Sequence, residues 1–142
     1  RLTYATAQVG LKYVSFEVLN LPALNDIDVG ACTMGTVTAE QTQLFANRNN
    51  AAAKDVIAYF VRSTQPPFNG CASHPANRPG AVVASGASAW TLAHEIGHVL
   101  GLSHVSDNNR LMTGLGTDNI TNPPPDIIAS EKTTMLASSF TT

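Results

Sequence analysis

The chain has 142 residues, of which 44% are apolar and 13% charged, with a formal net charge of −2 at pH 7. That length suits one compact domain (1–142), and so charge-poor a surface offers no basic field for nucleic acid and no polybasic segment for an anionic membrane. No apolar run approaches the ~20 residues of a membrane-spanning helix, so a soluble monomer is expected.

The sequence begins at Arg1 rather than Met, which reads as a mature or trimmed form. Leu2, Ala5 and Val9 then recur at helical spacing before Gly10, as in the tail of a helix, so a fragment of a larger enzyme is an alternative. Residues 12–19 alternate, with Val14, Phe16 and Val18 opposed to Ser15 and Glu17, the pattern of a half-buried strand. Residues 21–36 carry Pro22, Asn25, Gly30 and Gly35 and read as a long loop. Its Asp26 and Asp28 could bind Ca²⁺, but two carboxylates without further spaced ligands are more often simply solvated.

Thr38 is placed to cap a helix over 39–52 that buries Leu44, Phe45 and the alanines beyond. Residues 55–61 (DVIAYFV) form a nearly continuous apolar run, which predicts a central strand covered on both faces. Four prolines make 64–80 an irregular loop that leads into a short strand, 80–85. From Ser88 to Leu100 the spacing of Ala89, Leu92, Ala93, Ile96 and Val99 predicts a helix, capped by Ser88 and ended by Gly101. Asp126 would cap a last helix, 127–139, with Ile127, Ile128, Met135 and Leu136 facing inward. Strands interleaved with helices define an α/β (α+β) domain.

Cys32 and Cys71 lie in loop-like surroundings and would close a sizeable loop. A disulfide between them would imply an oxidising compartment, secreted, extracellular or periplasmic; a pair of free buried thiols is the alternative.

The chemistry is concentrated in residues 94–104, HEIGHVLGLSH. Histidines at i and i+4 project from one helix face, so His94 and His98 can bind the same metal ion. Glu95 is rotated about 100° from His94, unsuited to be a ligand beside both but able to reach a water on the metal as a general base. Gly101 can turn the chain sharply enough to return His104 to the ion as third ligand. Three imidazoles leave a tetrahedral Zn²⁺ one open position for water, as in a catalytic site. A module that binds zinc without catalysis, for interaction or toxin-like action, is the competing reading, and the intact Glu95 argues against it.

The pattern His-Glu-x-x-His-x-x-Gly-x-x-His resembles the metzincin clan of zinc metallopeptidases, and its wording is most similar to matrixin-type members. The resemblance implies a zincin-like domain with a small mixed twisted sheet in a subdomain of residues 1–101, and a smaller C-terminal subdomain, 102–142. It implies a zinc-dependent endopeptidase acting on protein or peptide substrates. Met112 would form the clan's Met-turn beneath the metal, Ala81, Val82, Val83 and Ala84 would be the edge strand that pairs with substrate, and an S1′ pocket would lie between the zinc helix and 112–125. Val105 matches no family marker, and Thr113 and Gly114 follow Met112 where some families place a ligating tyrosine. His74 reads as an incidental loop residue, and Trp90 as packing.

Overall fold

A computed structural model describes residues 15–141 throughout and, of the first fourteen, only the backbone of Thr3–Tyr4 and Val9–Gly10. Those two pairs are β1 (Thr3–Tyr4) and β2 (Val9–Gly10), joined antiparallel, which replaces the expected helix tail at these positions. The rest of that expectation, with residues 11–14, lies outside the described residues. The strand expected over 12–19 does not form from Ser15 onward: 15–20 is irregular, and Phe16 and Val18 are exposed. Alternation marks a strand only where another element covers the apolar side.

The chain then forms β3 (Asp26–Ile27), α1 (Ala39–Leu44), β4 (Ile57–Val61), β5 (Ser63–Thr64), β6 (Gly70–Cys71), β7 (Gly80–Ala84), α2 (Thr91–Val99) and α3 (Ala129–Leu136). Thr38 caps α1: its hydroxyl accepts from the Gln41 N–H at 3.1 Å, and the Gln41 side chain accepts from the Thr38 N–H at 2.8 Å. The helix ends at Leu44, where the Asn47 side-chain amide donates to the Gln43 and Leu44 carbonyls at 3.0 and 3.1 Å, and Asn49 beyond it turns the chain away with φ +39°. The alanines at 51–53 therefore lie outside it.

β7 is the centre of the main sheet, parallel to β4 on one side and antiparallel to β6 on the other. All five of its residues are buried. This corrects two expectations. Ala81, Val82, Val83 and Ala84 are not an edge strand, since both sides are already paired. β4, expected to be central, pairs only with β7 among the described residues; Tyr59 and Val61 point inward while Phe60 is exposed.

Successive residues of β7 face opposite cores. Ala81 joins Ile96, Leu100, Leu102, Leu111, Met112, Ile127 and Met135, which lie on α2, α3 and the loop between them. Val82 joins Ile27, Val29, Leu44, Phe45, Tyr59, Val61 and Cys71 on the α1 side. Cys32 and Cys71 form a disulfide, Cα to Cα 5.6 Å, which fastens the loop after β3 to β6. The Ser73 hydroxyl, donating to the Thr36 carbonyl at 2.6 Å, fastens the same loop a second time.

The last helix is shorter than expected. Asp126 is held instead by backbone bonds, its N–H to the Asn109 carbonyl and its carbonyl to the Leu111 N–H, so the helix opens three residues later. Ile127 and Met135 face inward, whereas Ile128 and Leu136 are exposed. Arg110 and Glu131, both mostly buried, pair at 2.6 Å and tie α3 to that loop.

Candidate functional site

α2 begins at Thr91, two residues later than a cap at Ser88 implies: the Ser88 hydroxyl accepts from the Trp90 N–H at 3.3 Å and its carbonyl from the Thr91 N–H at 3.1 Å, a tight turn that precedes the helix proper. The helix stops through a Schellman closure. Gly101 takes φ +98°, its N–H bonds the His98 carbonyl at 2.9 Å, and the Leu102 N–H bonds the Gly97 carbonyl at 2.9 Å. The chain then reverses and carries His104 back over the helix. A parallel bridge between Val105 and Thr113 fixes that return, with the Val105 N–H on the Met112 carbonyl and the Gly114 N–H on the Val105 carbonyl, each at 2.9 Å.

The result is a triangle of imidazole nitrogens. The Nε2 atoms of His94, His98 and His104 lie 3.0–3.1 Å from one another. His94 is buried, His98 half-buried and His104 exposed, so the triangle opens to solvent on one side. The Nδ1 of His94 lies 2.7 Å from the Leu111 carbonyl, and that of His98 lies 2.8 Å from the Leu102 carbonyl. Each carbonyl can only accept, so each Nδ1 carries the proton and each Nε2 presents a bare lone pair. Burial lowers the pKa of His94 to about 4 and holds that of His98 below its usual value, so both rings stay neutral near pH 7. Lone pairs converging without a proton between them repel unless a cation joins them. Their spacing lets one Zn²⁺ sit about 2.0–2.1 Å from all three, so the donor set fits the metal.

Glu95 follows His94 on the helix and is 8% exposed. Among the described residues its carboxylate has no hydrogen bond or ion pair, and burial raises its pKa to about 8. It rests against the backbone of Gly70 on β6. A Cβ at that position would lie 2.6 Å from Glu95 Oε1 and 2.9 Å from its Cγ. Sequence reasoning passed over Gly70, whose only local signal was a glycine beside a cysteine in a proline-rich loop.

Met112 is completely buried beneath α2. A Cβ on Gly97, between the two helical histidines, would lie 2.5 Å from its sulfur, so that glycine lets the methionine approach the helix axis. Gly114 packs on the opposite flank, where a Cβ would lie 3.2 Å from His104 Cβ.

The remaining expected residues stand apart from this site. His74 contacts the Pro75 carbonyl and the ring of Phe140. Trp90 is half-buried and packs against the core beside α2. Asp26 is paired with Arg62 at 2.7 Å, and Asp28 accepts from the Gly30 N–H, so neither contributes to a cation cage. Among the described residues the histidine trio is the one group able to hold a metal.

The fold and site define a metzincin-type zincin domain. The family model for the matrixins, peptidase family M10, matches residues 32–126, and the chain belongs to that family. Neither the curated proteins nor the solved structures returned a match. The family and the three-histidine cluster together support a zinc metallopeptidase.

Proposed function

We propose that the chain is a secreted, monomeric zinc endopeptidase in which His94, His98 and His104 hold the metal and Glu95 is the general base. The observation that carries the reading is a buried carboxyl group, without a partner among the described residues, next on the helix to a triangle of imidazole Nε2 atoms 3.0–3.1 Å apart. Bound there, Zn²⁺ would polarise the scissile carbonyl and make water acidic enough to surrender a proton near pH 7.

The protein's own contribution is then positional. Glu95 takes the proton of the attacking water and returns it to the leaving amine, and no residue forms a covalent bond to substrate. Met112 under Gly97 and the carbonyls of Leu111 and Leu102 keep the imidazoles oriented.

An extended substrate would add to β6 rather than to Ala81–Ala84. The Ala84 N–H bonds the Asn69 carbonyl, so in the next pair, Gly70 with Val83, the amide groups of Gly70 point away from β7. Glu95 packs against the face of Gly70, whose carbonyl lies 3.9 Å from Cys32 Sγ; Gly70 itself is buried, and Asn69 is exposed at the start of the strand, where an added strand would enter. Residues 1–101 would supply the sheet and zinc helix and 102–142 the smaller subdomain of one catalytic unit. The Cys32–Cys71 disulfide supports an oxidising, extracellular location.

Replacing Glu95 by Ala tests the assignment. The variant should bind zinc as the wild type does and lose about 10²–10⁴-fold in kcat, the usual contribution of a general base. Hydrolysis that survives the change would refute the role.

A further inference from the structure

Where α2 begins, three hydroxyl groups meet. Ser88 Oγ and Thr91 Oγ1 each lie 2.8 Å from Thr117 Oγ1, and 3.2 Å from one another. Ser88 and Thr91 precede and open the zinc helix, whereas Thr117 belongs to the chain that follows the Met-turn. The knot thus bolts that chain across the foot of the helix. Thr91 stands one helical turn before Glu95 on the same face, and both meet the space where Gly70 lacks a Cβ.

Resting on the endopeptidase reading, the side chain that follows the cleaved bond would enter between α2 and this chain. The knot lies across that path. Thr91 is only 3% exposed, so no solvent-filled pocket reaches it. The space beside Glu95 therefore ends within one turn, about 5.4 Å along the helix. The wall is also braced within itself. The Leu115 N–H bonds Thr113 Oγ1 at 3.2 Å, the Asn119 amide bonds the Leu115 carbonyl at 2.7 Å, and the Asn119 N–H bonds the Gly116 carbonyl at 3.0 Å. The floor carries hydroxyls and no charge.

We propose that Ser88, Thr91 and Thr117 are specificity-determining residues that close the pocket at a shallow, neutral, polar floor, selecting substrates with a small residue, Ala, Ser or Gly, directly after the cleaved bond. Leu and Phe would be excluded there by length, and Lys, Arg, Asp and Glu by the lack of a partner charge.

The test uses the zinc-loaded chain and a peptide series that differs only at that position. Wild type should favour Ala over Leu by at least about tenfold in kcat/KM, and Thr117→Gly should remove most of that preference. Ser88→Ala lies outside the loop and should relax the preference in the same direction, which serves if Thr117→Gly does not fold. A readout independent of metal and turnover is thiol labelling of Thr91→Cys, slow in the otherwise unaltered chain and fast when combined with Thr117→Gly.

A wild type that cleaves before Leu or Phe as readily as before Ala, or a profile that neither variant alters, would overturn the proposal while leaving the endopeptidase intact. Rapid labelling of Thr91→Cys in the otherwise unaltered chain would do the same. Absence of cleavage of every peptide by every form would overturn the endopeptidase reading, and the substrate preference with it.

Discussion

Gly70→Ala should disable the proposed base without touching a metal ligand. The added Cβ would lie 2.6 Å from Glu95 Oε1, 2.9 Å from its Cγ and 2.7 Å from Thr91 Cγ2, where ordinary contacts begin at 3.4 Å. The Glu95 carboxylate must therefore retreat by nearly an ångström, or β6 must move away from α2. A displacement of that size at a reacting group costs about 10²-fold in rate, and overpacking of this kind costs about 1–3 kcal/mol of stability. Steady-state kinetics, zinc per chain and a thermal midpoint would be measured on the same preparation. The expected result is a depressed kcat, one zinc per chain and a modestly lowered midpoint. Adding Thr91→Ser removes one clashing methyl and should return part of the stability but little of the rate, because the collision with Glu95 remains. An unaltered kcat in Gly70→Ala would refute the reasoning.

Replacing Cys32 and Cys71 together by Ser opens a cross-link spanning 39 positions, and the chain-entropy model sets its loss at about 4 kcal/mol, measurable as a lower urea midpoint. Wild type in reductant should move to the same midpoint, and no shift in either case would contradict this. In the metal-free protein Glu95, with a pKa of about 8 against an ordinary 4.5, contributes stability that is present below pH 4.5 and is lost as pH rises to 8. Metal-free Glu95→Gln should thus gain on the wild type progressively from pH 5 to 8, and a difference constant with pH would argue against a buried, protonated Glu95. His94, lowered to about 4, acts at the other end: its stability is present above pH 6.5 and declines as pH falls towards 4, in both proteins alike. Glu131→Ala leaves the Arg110 guanidinium mostly buried and uncompensated, and should cost about 3–5 kcal/mol in chemical denaturation. A cost near zero would show that water already reaches the pair.

The metal site was legible because its geometry is written locally. A helix fixes His94, Glu95 and His98 relative to one another, and Gly101 announces the turn that returns His104. Met112 was singled out through its distance from that motif; that it lies buried against α2 where Gly97 lacks a Cβ is a contact between segments that only the fold shows. Sheet order was read wrongly for the same reason. GAVVA and DVIAYFV are both apolar runs, and composition does not say which one receives neighbours on two sides. The run with small residues took the centre, while Phe60 on the other remained exposed. Phe16 and Val18 show the converse, a strand pattern with nothing to cover it. Ser88 was read as a helix cap by its type and position, and its hydroxyl does accept from the Trp90 N–H at 3.3 Å, but it also donates to Thr117, a residue 29 positions away that no local pattern announces.

Metal content measured together with proteolysis tests the central claim most directly. The chain, incubated with a denatured protein before chelation, after chelation and after return of zinc, should bind about one Zn²⁺ per molecule. Cleavage should vanish with the ion and come back with it, while the fold persists throughout. A chain that binds no zinc, or that cleaves equally well without it, would contradict the account.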